Sequence, residues 1–119
     1  MERLWRFGKP MISKIQLKEK IKEIGGRAWF PIEVAKVNDQ VVRMALFKGS
    51  YHWHTHGEDE FFYVLKGAIT IQVKEQPDVV LQEGEITVVP KGAEHCPKSD
   101  VESYVLMFEP QVLKSAGNE

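Results

Sequence analysis

The sequence predicts an all-β fold preceded by one short helix, on three observations. From Trp29 onward, short β-prone runs follow one another at the close spacing of sandwiches and barrels. Gly67, Gly84, Pro90 and Gly92 punctuate those runs where the chain must turn sharply. The 119 residues are too few for two independent cores, and 43% hydrophobic against 28% charged residues is the balance of an ordinary globular domain.

In chain order, Met1 to Pro10 carries Arg3, Arg6 and Lys9 and ends directly before Met11, where MISKIQL reads like a second beginning, so these ten residues are expected to be an extension. A helix is expected over Gln16 to Ile24, because Leu17, Ile21 and Ile24 recur at the spacing of one helical face, and Gly25 and Gly26 stop it. Strands are expected at Ile32 to Val37 and Val41 to Phe47, with Asn38-Asp39 as the hairpin turn between them. Further strands are expected at Tyr51 to His56, Phe61 to Leu65, Ala68 to Lys74, Val79 to Leu81, Ile86 to Val89 and Ser103 to Phe108. Ser115 to Glu119 reads as a loose tail.

A net charge of −1 offers no general attraction to nucleic acid or to an anionic membrane. No apolar run approaches the length of a spanning helix, and MERLWRFGKP lacks the apolar stretch of a secretory signal, so cytoplasmic residence is the expectation. The single cysteine, Cys96, permits no internal disulfide and no thiolate-rich metal site. A metal here must rely on imidazole and carboxylate.

Those groups are concentrated. In a strand over YHWHTH, side chains alternate, so His52, His54 and His56 share one face, and either adjacent pair could chelate an ion. Glu60 follows His56 after three residues, enough to turn a corner and return an oxygen ligand to the same point. His95 comes after the Pro90-Lys91-Gly92 turn. The plain alternative is a surface strand decorated with histidines, but all four histidines of the chain lie in two places, each beside a glycine turn, and that pattern favours a metal.

Two motifs built on these residues resemble the signatures of the cupin superfamily. The first is His54-Thr55-His56, three residues, Glu60, six residues, Gly67; the second is Gly84, five residues, Pro90-Lys91-Gly92, two residues, His95. Ser99 stands where the family usually has Asn, and Gly49 precedes His54 by four residues where five are usual. The sixteen residues between the motifs suit the short microbial type. The resemblance covers Trp29 to Pro110. It implies a double-stranded β-helix, the cupin jelly-roll barrel, over 29–110, with 1–28 as extension and helix and 111–119 as tail. It also implies one divalent ion per chain held by His54, His56, Glu60 and His95, since only the His54 and His56 pair fits the family's three-residue gap to Glu60. His52 then lies on the same face one step farther along, a pocket residue that supports a ligand by a hydrogen bond, carries a proton as a candidate catalytic group, or merely packs. Iron, manganese, nickel, cobalt or zinc suits such a donor set.

Phe61 to Leu65 is apolar on both faces, so its outer face needs a cover, either the N-terminal segment or a second subunit. The family's habit points to a homodimer. Cys96, adjacent to His95 on an extended chain, is expected to point away from it as a buried inert thiol. Lys66, Lys91 and Lys98 are candidates for an anionic ligand, against the ordinary reading of solvated lysines. Two functions follow: a metal-dependent enzyme of dioxygenase, isomerase or lyase type acting on a small oxygenated molecule, or a binding or sensor protein in which the metal anchors a carboxylate or sugar. No helix-turn-helix accompanies the barrel, so nucleic acid is not an expected partner.

Overall fold

Where apolar residues alternate along these strands, one face turns inward; where the run is continuous, both faces are covered. The computed structural model describes residues 5–113, and the Ser115 to Glu119 tail expected above lies outside them. Residues 5–10 form a small antiparallel ribbon, β1 (Trp5–Arg6) paired with β2 (Lys9–Pro10).

The helix, α1 (Leu17–Ile24), forms as its apolar spacing requires, with Gln16 as N-cap. Gly25 ends it in the left-handed conformation, φ 62°, and Arg27 donates from Nε to the Ile24 carbonyl and from Nη2 to that of Glu23. Ile24 is fully buried, a contribution of about 1.5–3 kcal/mol. Among the described residues, no helix is long and apolar enough to cross a membrane.

Seven strands follow: β3 (Ile32–Val37), β4 (Gln40–Ser50), β5 (Glu60–Lys66), β6 (Ala68–Val73), β7 (Gln76–Gln82), β8 (Ile86–Val89) and β9 (His95–Pro110). The order β3-β4-β9-β5-β8 is antiparallel throughout, and β6 joins β7 to the first part of β9. β9 is thus the spine of the all-β fold. Its first residues pair with β6, its later ones with β4 and β5. The bend between them lies at Ser99 to Ser103, where β4 is also irregular between Phe47 and Gly49. Ser99, in the place of the family's usual Asn, bonds the Ala68 carbonyl at 2.8 Å and Ser103 Oγ at 2.8 Å across that corner.

Two apolar layers result. Ala45, Phe47, Phe62, Val64, Val105 and Met107 face inward with residues of β6 to β8. On the outside of β3, β4 and β9, Met44, Leu46 and Val34 pack with Ile24, and Leu65, Tyr104 and Leu106 join them. The N-terminal helix therefore covers part of the doubly apolar strand's outer face, but Phe108, Val88 and Ile86 remain exposed on the neighbouring part.

The expected strand Tyr51 to His56 does not form. After Gly49, whose φ is 75°, the segment meets β9 only where Tyr51 N–H donates to Pro97 O at 2.9 Å and where His54 and His95 exchange backbone hydrogen bonds at 3.0 Å. Irregular backbone of this kind re-aims side chains that strict alternation would have kept on one face. His52 is consequently exposed, His54 half-buried and His56 buried.

Candidate metal centre

The His54–His95 backbone pair puts the two imidazoles side by side, with ring centroids 4.4 Å apart. His56 comes in from the following loop, which is tied down where Gly92 N–H donates to His56 O at 3.0 Å and Lys91 N–H to Asp59 Oδ1 at 2.9 Å. The family's Pro-Lys-Gly turn thereby clamps the loop that carries His56. One ligand nitrogen from each of His54, His56 and His95 lies within 4.8 Å of the others. Two nitrogens about 2.0–2.1 Å from one ion are at most roughly 4 Å apart, so a small contraction suffices. Glu60 opens β5 beside them, Oε1 3.4 Å from His56 Nε2, though outside the three-histidine group.

The tautomers suit a cation. A carbonyl oxygen only accepts, so His95 Nδ1–H donates to Ala93 O and His54 Nδ1–H to His52 O, each at 2.8 Å. Each Nε2 then carries a lone pair. That of His95 is buried, with no hydrogen-bond partner among the described residues. Burial lowers the His54 pKa to about 4, outweighing the upward pull of the His52 carbonyl, and lowers that of His95 despite the Ala93 carbonyl. Both rings are neutral at physiological pH. The backbone of His52, not its ring, orients His54; the His52 ring lies tilted against that of Tyr51 with centroids 4.0 Å apart and stands 5.2 Å from the His54 ring.

Beside the histidines is a narrow cavity of about 30 Å³, walled by Trp29, Phe47, Tyr51 and Phe62, with His54 and Glu60 as its polar contacts. Trp29 stacks on Tyr51 with centroids 4.8 Å apart, and its Nε1–H donates to Lys48 O. Burial and the nearby Glu60 charge raise the Tyr51 pKa, which keeps the phenol protonated as a donor. None of Lys66, Lys91 and Lys98 lines this cavity: the first two are exposed, and Lys98 borders a separate groove with Ala68 and Thr70. Cys96 is buried with its pKa raised by that burial, as an inert thiol would be.

Sequence reasoning missed Arg43 and Glu109. Glu109 is buried at the end of β9, where Arg43 Nη1 donates to its Oε1 at 2.9 Å, and the register of β5 against β9 sets it beside Glu60. Burial, then the neighbouring Glu60, hold Glu109 well above the usual carboxylate range. The signal was available: Val105, Met107 and Glu109 alternate on one inward phase, and an acid in that series is out of place unless it has a partner.

The family model described as a cupin domain matches residues 38–109. An uncharacterized protein of Bacillus subtilis (strain 168), YdbB, is 39% identical over 77 residues, spanning 64% of this chain and 68% of its own. A cupin-2 domain containing protein from Shewanella frigidimarina NCIMB 400 has a TM-score of 0.77 at 33% identity, covering 82% of this chain and 94% of that one. Hydroquinone 1,2-dioxygenase from Sphingomonas sp. TTNP3, solved with 4-hydroxybenzoate bound, has a TM-score of 0.71 over 85% of this chain and 80% of its own, and at 14% identity that likeness is one of fold.

Proposed function

The chain belongs to the cupin domain family, and from that premise we propose that it is a metal-dependent cupin acting on a small, neutral, oxygenated molecule. The observation that carries the reading is His95 Nε2, buried and without a partner, aimed into a cluster that brings two more imidazoles to the same point. His54, His56, Glu60 and His95 would hold one iron, manganese, nickel, cobalt or zinc ion, a donor set of nitrogen and oxygen that suits all five. When bound, such an ion polarises a ligand oxygen.

The chain's own residues supply the rest. Trp29, Phe47 and Phe62 give the cavity an apolar wall, and the Tyr51 phenol donates a hydrogen bond to an oxygen beside Glu60. Among the described residues no lysine or arginine lines the cavity, and Glu60 is acidic, so a neutral diol, catechol or diketone is favoured over a free carboxylate. His52, exposed next to the His54 ring, is placed to pass a proton between the site and solvent.

The test loads the protein with each metal in turn and screens those neutral classes and sugar derivatives, with and without oxygen. Turnover is expected with one metal, and it should fall in His52→Ala while metal content holds. Tight ligand binding without turnover across the panel would instead establish a binding or sensor protein.

The exposed Ile86, Val88 and Phe108, bordering Phe61 and Tyr63 on the outer face, support a homodimer in which a second copy covers what α1 does not. Light scattering should return twice the 13.7 kDa chain mass, and Val88→Lys should return the monomer. A monomer for the unmodified protein at micromolar concentration rejects the dimer.

A further inference from the structure

We infer that residues 7–15 of one copy lie across the open apolar patch of a second, over Ile86, Val88 and Phe108, so that two copies hold each other by exchanged arms. This rests on the homodimer reading above and deepens it.

The strand register draws the patch. On the outer face, Val42 on β4 stands opposite Phe108 on β9, Phe108 opposite Phe61 on β5, and Phe61 opposite Val88 on β8. A second row beside it runs through Met44, Leu106, Tyr63 and Ile86. Side chains opposite one another on neighbouring strands touch, so the two rows form one apolar stripe. α1 covers its β4 end, where Met44 is fully buried with Ile24. The β8 end is bare, with Val88 52% and Ile86 56% exposed.

The arm is the complementary piece. Phe7 is 94% and Ile12 96% exposed, so neither packs on its own barrel. Phe7 and Gly8, at φ 54° and 72°, turn the ribbon between β1 and β2. A two-residue turn with both angles positive ordinarily takes Asn or Asp first, and a bulky side chain there is strained. A two-stranded ribbon is also marginal without a surface to pack on. Local folding does not account for an aromatic side chain at the tip of such a ribbon. A surface that receives it does.

Charge favours the arm over the same face of a second copy. Glu83 and Glu85 flank the patch at the start of β8, and Glu58 and Asp59 flank it before β5, outnumbering Lys66 and Lys91 at the same two ends. Two such faces stacked together would bring net acidic rims into opposition. Residues 7–15 carry Lys9 and Lys14 and no acid, so the arm supplies opposite charge along with its apolar side chains. Reach is not limiting. Nine extended residues span about 30 Å, whereas β9, β5 and β8 together are about 10 Å across.

The experiment compares the unmodified full chain with the double variant Phe7→Ser, Ile12→Ser by analytical ultracentrifugation. Both side chains are exposed within one copy, so the variant should keep the parent's thermal midpoint while its dimer dissociation constant rises about tenfold or more. Chains carrying Ile12→Cys and chains carrying Val88→Cys, mixed, left to exchange and treated with a short bismaleimide, should link to each other, since Cys96 is buried. A double variant that dimerises with the parent's constant overturns the inference and leaves the dimer standing. A chain carrying both new cysteines that links only within itself also overturns it, by placing the arm on its own barrel. If the double variant loses only sedimentation with phosphatidylglycerol vesicles, the arm belongs on a membrane and the inference fails. An unmodified protein that is monomeric at micromolar concentration overturns the dimer reading, and this inference with it.

Discussion

Changing His54 and His95 together to alanine is expected to take the metal content of the purified protein from one ion per chain to essentially none. The two rings are the closest pair in the cluster, at 4.4 Å, and their backbones exchange hydrogen bonds that do not involve the side chains. The double variant should therefore fold while losing half of the proposed donors. The loss should exceed the roughly 10–100-fold typical of outer partners, because ligands themselves are removed. Elemental analysis after purification without a chelating tag reads the result, and an unchanged one ion per chain would show that the metal is held elsewhere. The pH dependence has a definite sign. A metal needs the neutral ring, and burial lowers the His54 pKa to about 4 from an ordinary 6.5, with His95 lowered as well. Retention should thus persist below pH 6.5 and fail toward about 4, at lower pH than an exposed histidine cluster would show.

Much of this centre was legible because its spacing is local. His54, His56 and Glu60 lie within one turn of chain, and short β-prone runs between turn residues located β3, β5 and β8 to within a residue at each end. The limits came from contacts distant in sequence. YHWHTH is rich in β-favouring residues, and propensity alone made it a strand. Its backbone hydrogen bonds depend instead on where β9 happens to pass, and β9 reaches it only at Pro97 and His95. The shared face of His52 and His54 went with that strand. Arg43 and Glu109 are 66 residues apart, and nothing local to either predicts the other. Trp29 presented the same difficulty: its place in the cavity wall is set by its N–H bond to Leu46 O and its indole bond to Lys48 O, both on β4.

Gly67→Ala is expected to destabilise the protein by roughly 2–6 kcal/mol, combining backbone strain with overpacking. This glycine closes the first motif and sits in the turn between β5 and β6 at φ 91°, a conformation that costs any residue with a Cβ. The space is also taken. A Cβ there would collide with Ser103 Oγ and lie 2.8 Å from its Cβ and 2.9 Å from its Cα. Ser103 cannot step aside cheaply, since its buried hydroxyl accepts from Ala68 N–H at 3.0 Å and meets Ser99 Oγ at 2.8 Å, and a displaced hydroxyl leaves those groups unsatisfied. Gly84→Ala is the control, because its φ of 85° imposes similar strain while nothing lies within 4 Å of the added carbon. Denaturant midpoints for the two variants separate the collision from the strain. Equal midpoints would show that the corner yields and that Gly67 is needed for its backbone angle alone. If the collision dominates, the damage reaches the histidine cluster, because Ser99 and Ser103 define the bend of β9, and His95 lies only four residues before it on the same strand.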